Sequence, residues 1–294
     1  MTAPSRYAGR TAVVTGGTDG IGAATARLLR RHGAQVIVVG RSATKAEHLV
    51  AESAALPLPG SMRAIVSDFS SMRSVRTAVD DLADITPSID VLVHAVGVFL
   101  TRPEHTPEGI ERDLAVSYLS RYVFLEHAHH RGLLDPLTRL VNIAAAAPRL
   151  PKRARTEFDD LDAVSGRSGF ASHSQAQTAN DLLTAQAGSR YGIAALGYGP
   201  GNTDTAILRE LPWTTRALFF PFTRNKRTPD EVAEHLLELL EDQQWSAASA
   251  GFAGRRGRFT PDPFVTDITR QRDLLAASRA LVERALGHDA GSTR

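Results

Sequence analysis

Cysteine is absent from this 294-residue chain, which excludes a disulfide framework and any chemistry that rests on a thiolate. Lysine is nearly absent too. Lys45, Lys152 and Lys226 are the only ones among 34 cationic residues, so arginine carries the positive charge, which we read as a composition bias and not as function. The net charge is only +2, and no basic run carries interleaved aromatics, so no nucleic-acid partner is expected. No apolar run is long enough to cross a bilayer and no stretch reads as a leader. The expectation is a soluble, cytoplasmic protein with no transmembrane segment. Repeats and low-complexity segments are also missing. With 43% hydrophobic and 22% charged residues, the composition is that of a globular protein.

What is present is an alternation of short apolar runs and helical periods. Thr11–Thr15, Gln35–Val39, Met62–Val66, Ile89–Val93, Arg139–Ile143 and Ile193–Gly197 read as strands. Between them, Ile21–Arg31, Ala43–Glu52, Ser71–Asp84, Gly109–Arg131 and Ser174–Arg190 read as helices, and Ile268–Leu286 as a closing one. Apolar strands each returned by a helix predict a single α/β domain over residues 1–294, a Rossmann-type doubly wound parallel sheet with helices on both faces. Ligands then bind at the carboxyl ends of the strands. Pro148–Ser172 reads as a loop beside the site. Trp213–Phe222 reads either as a helix packed on the core or as a lid over substrate, and residues 287–294 as a frayed tail.

The first strand runs into Thr15-Gly16-Gly17-Thr18-Asp19-Gly20-Ile21-Gly22 and a helix follows. In that context a glycine-rich turn brings backbone N–H groups to a pyrophosphate at the positive end of a helix. Gly16 serves the tight turn, Gly20 the close approach, and Gly22 the packing of helix on sheet. At the end of the second strand, Val39-Gly40-Arg41-Ser42 offers a guanidinium where an acidic residue would hold the ribose hydroxyls of NAD. Arg41 suits a 2′-phosphate, so the expected cofactor is NADP(H).

These motifs identify a resemblance to the short-chain dehydrogenase/reductase superfamily, in its retinol-dehydrogenase-like branch. The resemblance runs nearly end to end. Asp68-Phe69-Ser70 resembles the family's Asp-Leu-Ser, whose aspartate meets the adenine. His94-Ala-Val-Gly97 stands at its Asn-Asn-Ala-Gly, and Asp113-Leu-Ala-Val-Ser-Tyr-Leu119 at its Asn-Phe-Ala-Val-Asn-Tyr-Leu. Phe158-Asp-Asp-Leu161, Pro200-Gly201 with Thr205, and Leu274–Leu281 match further segments of the branch. The cofactor residues this implies are Gly16, Thr18, Gly20, Ile21, Gly22, Arg41, Asp68, Gly97, Gln177, Pro200, Gly201 and Thr205. A homodimer through helices 109–131 and 174–190 is one arrangement the resemblance implies. The apolar C-terminal segment covering that surface, or reaching a membrane, is the alternative.

The family's catalytic residues do not carry over. Its tyrosine gives the carbonyl a proton, a lysine lowers that tyrosine's pKa and holds the ribose, a serine polarises the carbonyl, and an asparagine completes a water relay. Here His173 stands at the tyrosine, Gln177 at the lysine, Ala145 at the serine and Ser117 at the asparagine. Free tyrosine titrates near about 10 and needs the neighbouring cation, whereas free histidine titrates near about 6.5 and would be less often protonated beside one. Tyrosine to histidine together with lysine to glutamine is therefore coherent as an exchange of the acid/base. Ser117 or Ser174 would have to stand in for the lost serine. One reading is an atypical NADP(H)-linked oxidoreductase on a small apolar carbonyl or alcohol, the apolar character resting on Phe99, Trp213, Phe219 and Phe222. The others are a non-redox cyclase or isomerase in which His173 moves a proton, and an NADP(H)-binding pseudoenzyme. His94 is expected to bond backbone at its strand end, His127, His129 and His130 to be surface, and no metal is expected.

Overall fold

The computed structural model describes residues 6–100, 102–144, 158, 161–162, 169–201, 203, 226–242, 245 and 248–287. Its strands are β1 (Thr11–Thr15), β2 (Gln35–Gly40), β3 (Ser61–Val66), β4 (Val91–His94), β5 (Arg139–Ile143), β6 (Ala194–Gly199), β7 (Ala250–Gly254) and β8 (Gly257–Arg258). They form one sheet in the order β3-β2-β1-β4-β5-β6-β7-β8, parallel up to β7, with β8 antiparallel at the edge. The order reverses at β1, between β2 and β4. That switch point opens a crevice at the carboxyl ends of β1 and β4.

Period-two alternation sends successive side chains to opposite faces. Val13, Ile37, Val39, Leu92 and Leu140 enter the core on one face, and Val14, Val36, Val38, Val93 and Val141 enter the other. Helices cover both. α1 (Gly20–Arg31) and α2 (Ala43–Ala54) contribute Ala23, Leu29 and Leu49 to the second core, and α3 (Met72–Ile85) contributes Val75, Val79 and Leu82 to the first. Ser42 and Ser71 cap α2 and α3 by accepting from the backbone N–H three residues on.

The expected helix over 109–131 begins later and is not regular. Gly109 has φ +74, and Glu111 caps the start by accepting from the N–H groups of Asp113 and Leu114. A short α4 (Arg112–Leu114) then widens into a π turn, Ala115–Leu119, before α5 (Ser120–His130) resumes. α6 (Gly169–Tyr191) starts five residues earlier than its pattern indicates. Thr228 and Glu231 form a capping box, with Pro229 in the first turn, for α7 (Pro229–Glu241), which packs beside α1. α8 (Pro263–Thr266) and α9 (Ile268–Gly287) close the chain. Of the arrangements open for the C-terminal segment, α9 lies over α6 and α3, with Ser278 and the Tyr118 hydroxyl bonded at 2.7 Å in the interior. Among the described residues no helix is long and apolar enough to cross a membrane.

Candidate active site

The β1–α1 turn is shaped by its glycines. Gly16 (φ +68) and Gly20 (φ +50) occupy backbone that favours glycine, and a Cβ on Gly16 would fall 2.7 Å from the Val96 nitrogen. The turn therefore rests directly on the loop leaving β4. A Cβ on Gly22 would fall 2.3 Å from the Gly16 carbonyl oxygen, so Gly22 lets α1 close on the turn that leaves β1. Thr18 packs on Gly40, joining the turn to the end of β2. There Arg41 is exposed, and Lys45 pairs with Asp19 at 2.5 Å. Asp68, at the end of β3, is also exposed, with one carboxylate oxygen accepting from the Ser70 N–H at 2.9 Å. A backbone cradle at a helix N-terminus, with a free-standing cation at the neighbouring strand end, fits a phosphorylated dinucleotide.

Across the crevice, α6 presents His173, Gln177, Asn180 and Thr184 along one face, at intervals of three and four residues. His173 Nδ1 lies 3.0 Å from Asp113 Oδ2 and 3.3 Å from Oδ1. The Asp113 carboxylate is almost wholly buried, while the His173 side chain keeps 25% of its surface in solvent. Ser117 donates its hydroxyl to Asp113 Oδ1 at 2.8 Å and accepts from the Val98 N–H at 3.1 Å. With Nδ1–H donating to Asp113, His173 Nε2 is left as the acceptor, 3.4 Å from Gln177 Nε2. Phe99 stands edge-on to the His173 ring at 4.9 Å, and Phe170 flanks Phe99 at 6.5 Å.

The π turn positions this cluster. Asn180 Nδ2 donates to the Ser117 carbonyl within it at 2.7 Å, locking α6 onto the segment that carries Asp113 and Ser117. Asn142, in β5, continues the polar chain through its Nδ2 to Thr184 Oγ1 at 3.0 Å. Arg121 completes it: Nη1 donates to Asn142 Oδ1 and to the Ile143 carbonyl, and Nη2 to the Val96 carbonyl. His94 bonds the Thr15 hydroxyl at 3.0 Å rather than backbone, and burial, helped by the Arg121 charge, holds its pKa well below the usual histidine value.

Of the residues the sequence singles out, the structure brings His173, Gln177 and Ser117 together. Of the two serines open as stand-ins for the lost one, Ser117 is fully buried with its hydroxyl committed to Asp113 and Val98, which leaves it turned away from a substrate carbonyl. Asp113 is the site residue that the sequence pattern alone does not reveal as His173's partner. Its one local signal is its position four residues before Ser117 in the segment where the family carries asparagine. Gly97 lies past the end of β4, its Cβ position 3.6 Å from Ser117 Oγ, and Pro200 and Gly201 directly follow β6 at the carboxyl edge of the sheet. Ala145, Thr205, Trp213, Phe219 and Phe222 lie outside the described residues, as do most of the loop 148–172 and the tail 288–294. His129 and His130 are exposed, His127 bonds Asp80 at 2.9 Å, and no group of residues with metal-binding character occurs among the described ones.

A family model described as short chain dehydrogenase matches residues 10–156, half of the chain. Human polyprenol dehydrogenase is 29% identical over 242 residues, spanning 76% of this chain and 70% of its own. Human retinol dehydrogenase 12 is 24% identical over 263 residues, 85% of this chain and 81% of its own. Among solved structures, a short chain dehydrogenase from Burkholderia cenocepacia in complex with NADP superposes with a TM-score of 0.62 at 26% identity, covering 80% of this chain and 91% of that one.

Proposed function

This chain belongs to the short-chain dehydrogenase/reductase superfamily, in its retinol-dehydrogenase-like branch, and from that premise we propose that it is an NADP(H)-linked oxidoreductase whose proton is moved by an Asp113–His173 dyad. The observation that carries this reading is the 3.0 Å contact between a partly exposed imidazole and a buried carboxylate at the mouth of the crevice. A histidine left without a partner would argue for a dismantled site. One held in orientation by a carboxylate, itself held by a serine, is built to transfer a proton.

The cofactor, when bound, supplies the hydride donor or acceptor. Gly16, Thr18, Gly20, Ile21 and Gly22 would hold its pyrophosphate end. Arg41 would meet the 2′-phosphate, Asp68 the adenine, and Gly97, Pro200, Gly201 and, by the resemblance, Thr205 the nicotinamide half. Asp113 fixes His173 with Nδ1–H inward, so Nε2 faces the reacting oxygen. In alcohol oxidation Nε2 accepts the hydroxyl proton while Asp113 offsets the charge the ring gains, and in carbonyl reduction the same atom returns it. Gln177 can follow both states. Its amide donates to a bare Nε2 and, turned over, accepts from a protonated one, which a lysine cannot do. Because the imidazole reaches solvent, its proton exchanges with water directly, and the family's lysine and asparagine relay is not needed. Phe99 and Phe170 support a small apolar substrate beside the ring.

Calorimetric titration with NADPH, NADP⁺ and NADH tests the cofactor half of the proposal. Tight binding of NADPH with much weaker NADH is expected. Absence of binding by all three would remove the oxidoreductase reading and leave a repurposed fold.

A further inference from the structure

Arg121 is a cation buried where burial is costly. It is 2% exposed, and each of its hydrogen bonds ends on a neutral oxygen: Asn142 Oδ1 at 2.5 Å, the Ile143 carbonyl at 2.7 Å and the Val96 carbonyl at 2.5 Å. Its Nε is buried with no partner. Asp181 acts on it only through space. Burial outweighs that help and brings the guanidinium down to about 9, which still leaves it charged at neutral pH.

Its location gives that cost a purpose. Ile143 ends β5 and Val96 follows β4, two neighbouring strands that stand together on one side of the crevice. The Gly16 turn rests on Val96. A Cβ on Gly97 would fall 3.6 Å from Ser117 Oγ, the hydroxyl that bonds Asp113 beneath His173, and 3.9 Å from Arg121 Nη2. A dinucleotide reaching from the Gly16 turn to His173 would pass Val96 and Gly97, which would bring its nicotinamide end near the Arg121 guanidinium.

Resting on the NADP(H) reading above, we infer that Arg121 biases this site toward the reduced cofactor. The oxidised nicotinamide ring carries a positive charge and the reduced ring does not, while the rest of the molecule is the same. A fixed cation beneath the ring in a water-poor site therefore raises the free energy of bound NADP⁺ relative to bound NADPH. With glutamine at position 177, Arg121 is the buried cation among the described residues here that sets this bias, and Asp181 beside it and Asp113 in the dyad oppose it. Arg121 is in this sense a positioning residue for charge, and it does not touch the reacting atoms.

The test is the ratio of dissociation constants for NADP⁺ and NADPH, measured by calorimetry on the full chain at neutral pH. Arg121→Met removes the charge at similar length. Arg121→Gln removes it while keeping an amide donor for the Val96 carbonyl, and serves where Arg121→Met does not fold. The neutral variants are expected to lower the NADP⁺-to-NADPH ratio by about tenfold. Arg121→Lys is expected to preserve the ratio, and Asp113→Asn to raise it. A merely structural arginine would weaken both ligands together. An unchanged ratio in the neutral variants, with both cofactors still binding, overturns the inference and leaves the NADP(H) reading intact. Failure of the wild-type protein to bind either cofactor removes that reading instead, and the inference with it.

Discussion

His173 and Asp113, sixty residues apart, meet with Nδ1 and Oδ2 at 3.0 Å because Asn180 fastens α6 to the π turn that follows Asp113. In the function proposed above, the contact makes the residue at the family's tyrosine position half of an acid/base pair. Asp113→Asn keeps the shape and offers the ring an amide that can accept a single bond, without charge. Turnover is expected to fall about a hundredfold or more with little change in KM. Steady-state kinetics on wild type and variant decide it, and an unaltered kcat would show that Asp113 is scenery.

Ser117 acts on the dyad from behind. Ser117→Ala strips one donor from the buried Asp113 carboxylate and one acceptor from the Val98 N–H. A loss of about 1 to 3 kcal/mol of stability is expected in urea unfolding, together with a smaller loss of turnover than for Asp113→Asn. Turnover loss equal to that of Asp113→Asn would place Ser117 in direct contact with substrate.

Arg41→Ala is expected to weaken NADPH about ten- to a hundredfold and to leave NADH nearly unchanged, since only the 2′-phosphate loses its partner. Equal weakening of both would mean that Arg41 holds the adenosine generally.

His94 gives the fold a pH dependence of known sign. Burial keeps its folded-state pKa below the unfolded value of about 6.5. Above that pH the ring is neutral in both states and costs nothing. As pH falls below it, the unfolded chain takes up a proton that the folded chain refuses, so stability declines by at most about 1.4 kcal/mol per pH unit from this group. His235 and His32 are lowered too and act in the same direction. Urea midpoints at neutral and mildly acidic pH should therefore differ less in His94→Asn than in wild type. An identical pH dependence in the two proteins would assign the effect to the other histidines.

The sheet and its cofactor turn are legible in the sequence because they are local. The short apolar runs Thr11–Thr15 and Gln35–Val39 and the glycines at 16, 20 and 22 each act within a few residues. The His173–Asp113 contact is not local. Asp113 reads only as the first residue of a segment that resembles the family's until α6 is laid against it, and the π turn that allows this leaves no mark on a 3.6-residue period. Arg121 is hidden for a related reason, since an arginine in a helix is expected at the surface and only the fold shows three carbonyl and amide oxygens around it. Ser117 was readable as a replacement for the family's asparagine, but its direction, toward Asp113 and away from substrate, required the structure.

The most direct test of the dyad's role is isotopic. NADPH deuterated at the transferable position of its nicotinamide would be incubated with a panel of small apolar aldehydes and ketones, using wild type and His173→Ala. Deuterated alcohol from the wild type, with at least about a hundredfold less from His173→Ala, is the predicted result. Product without deuterium, or a His173→Ala variant that turns over at the wild-type rate, would contradict the account.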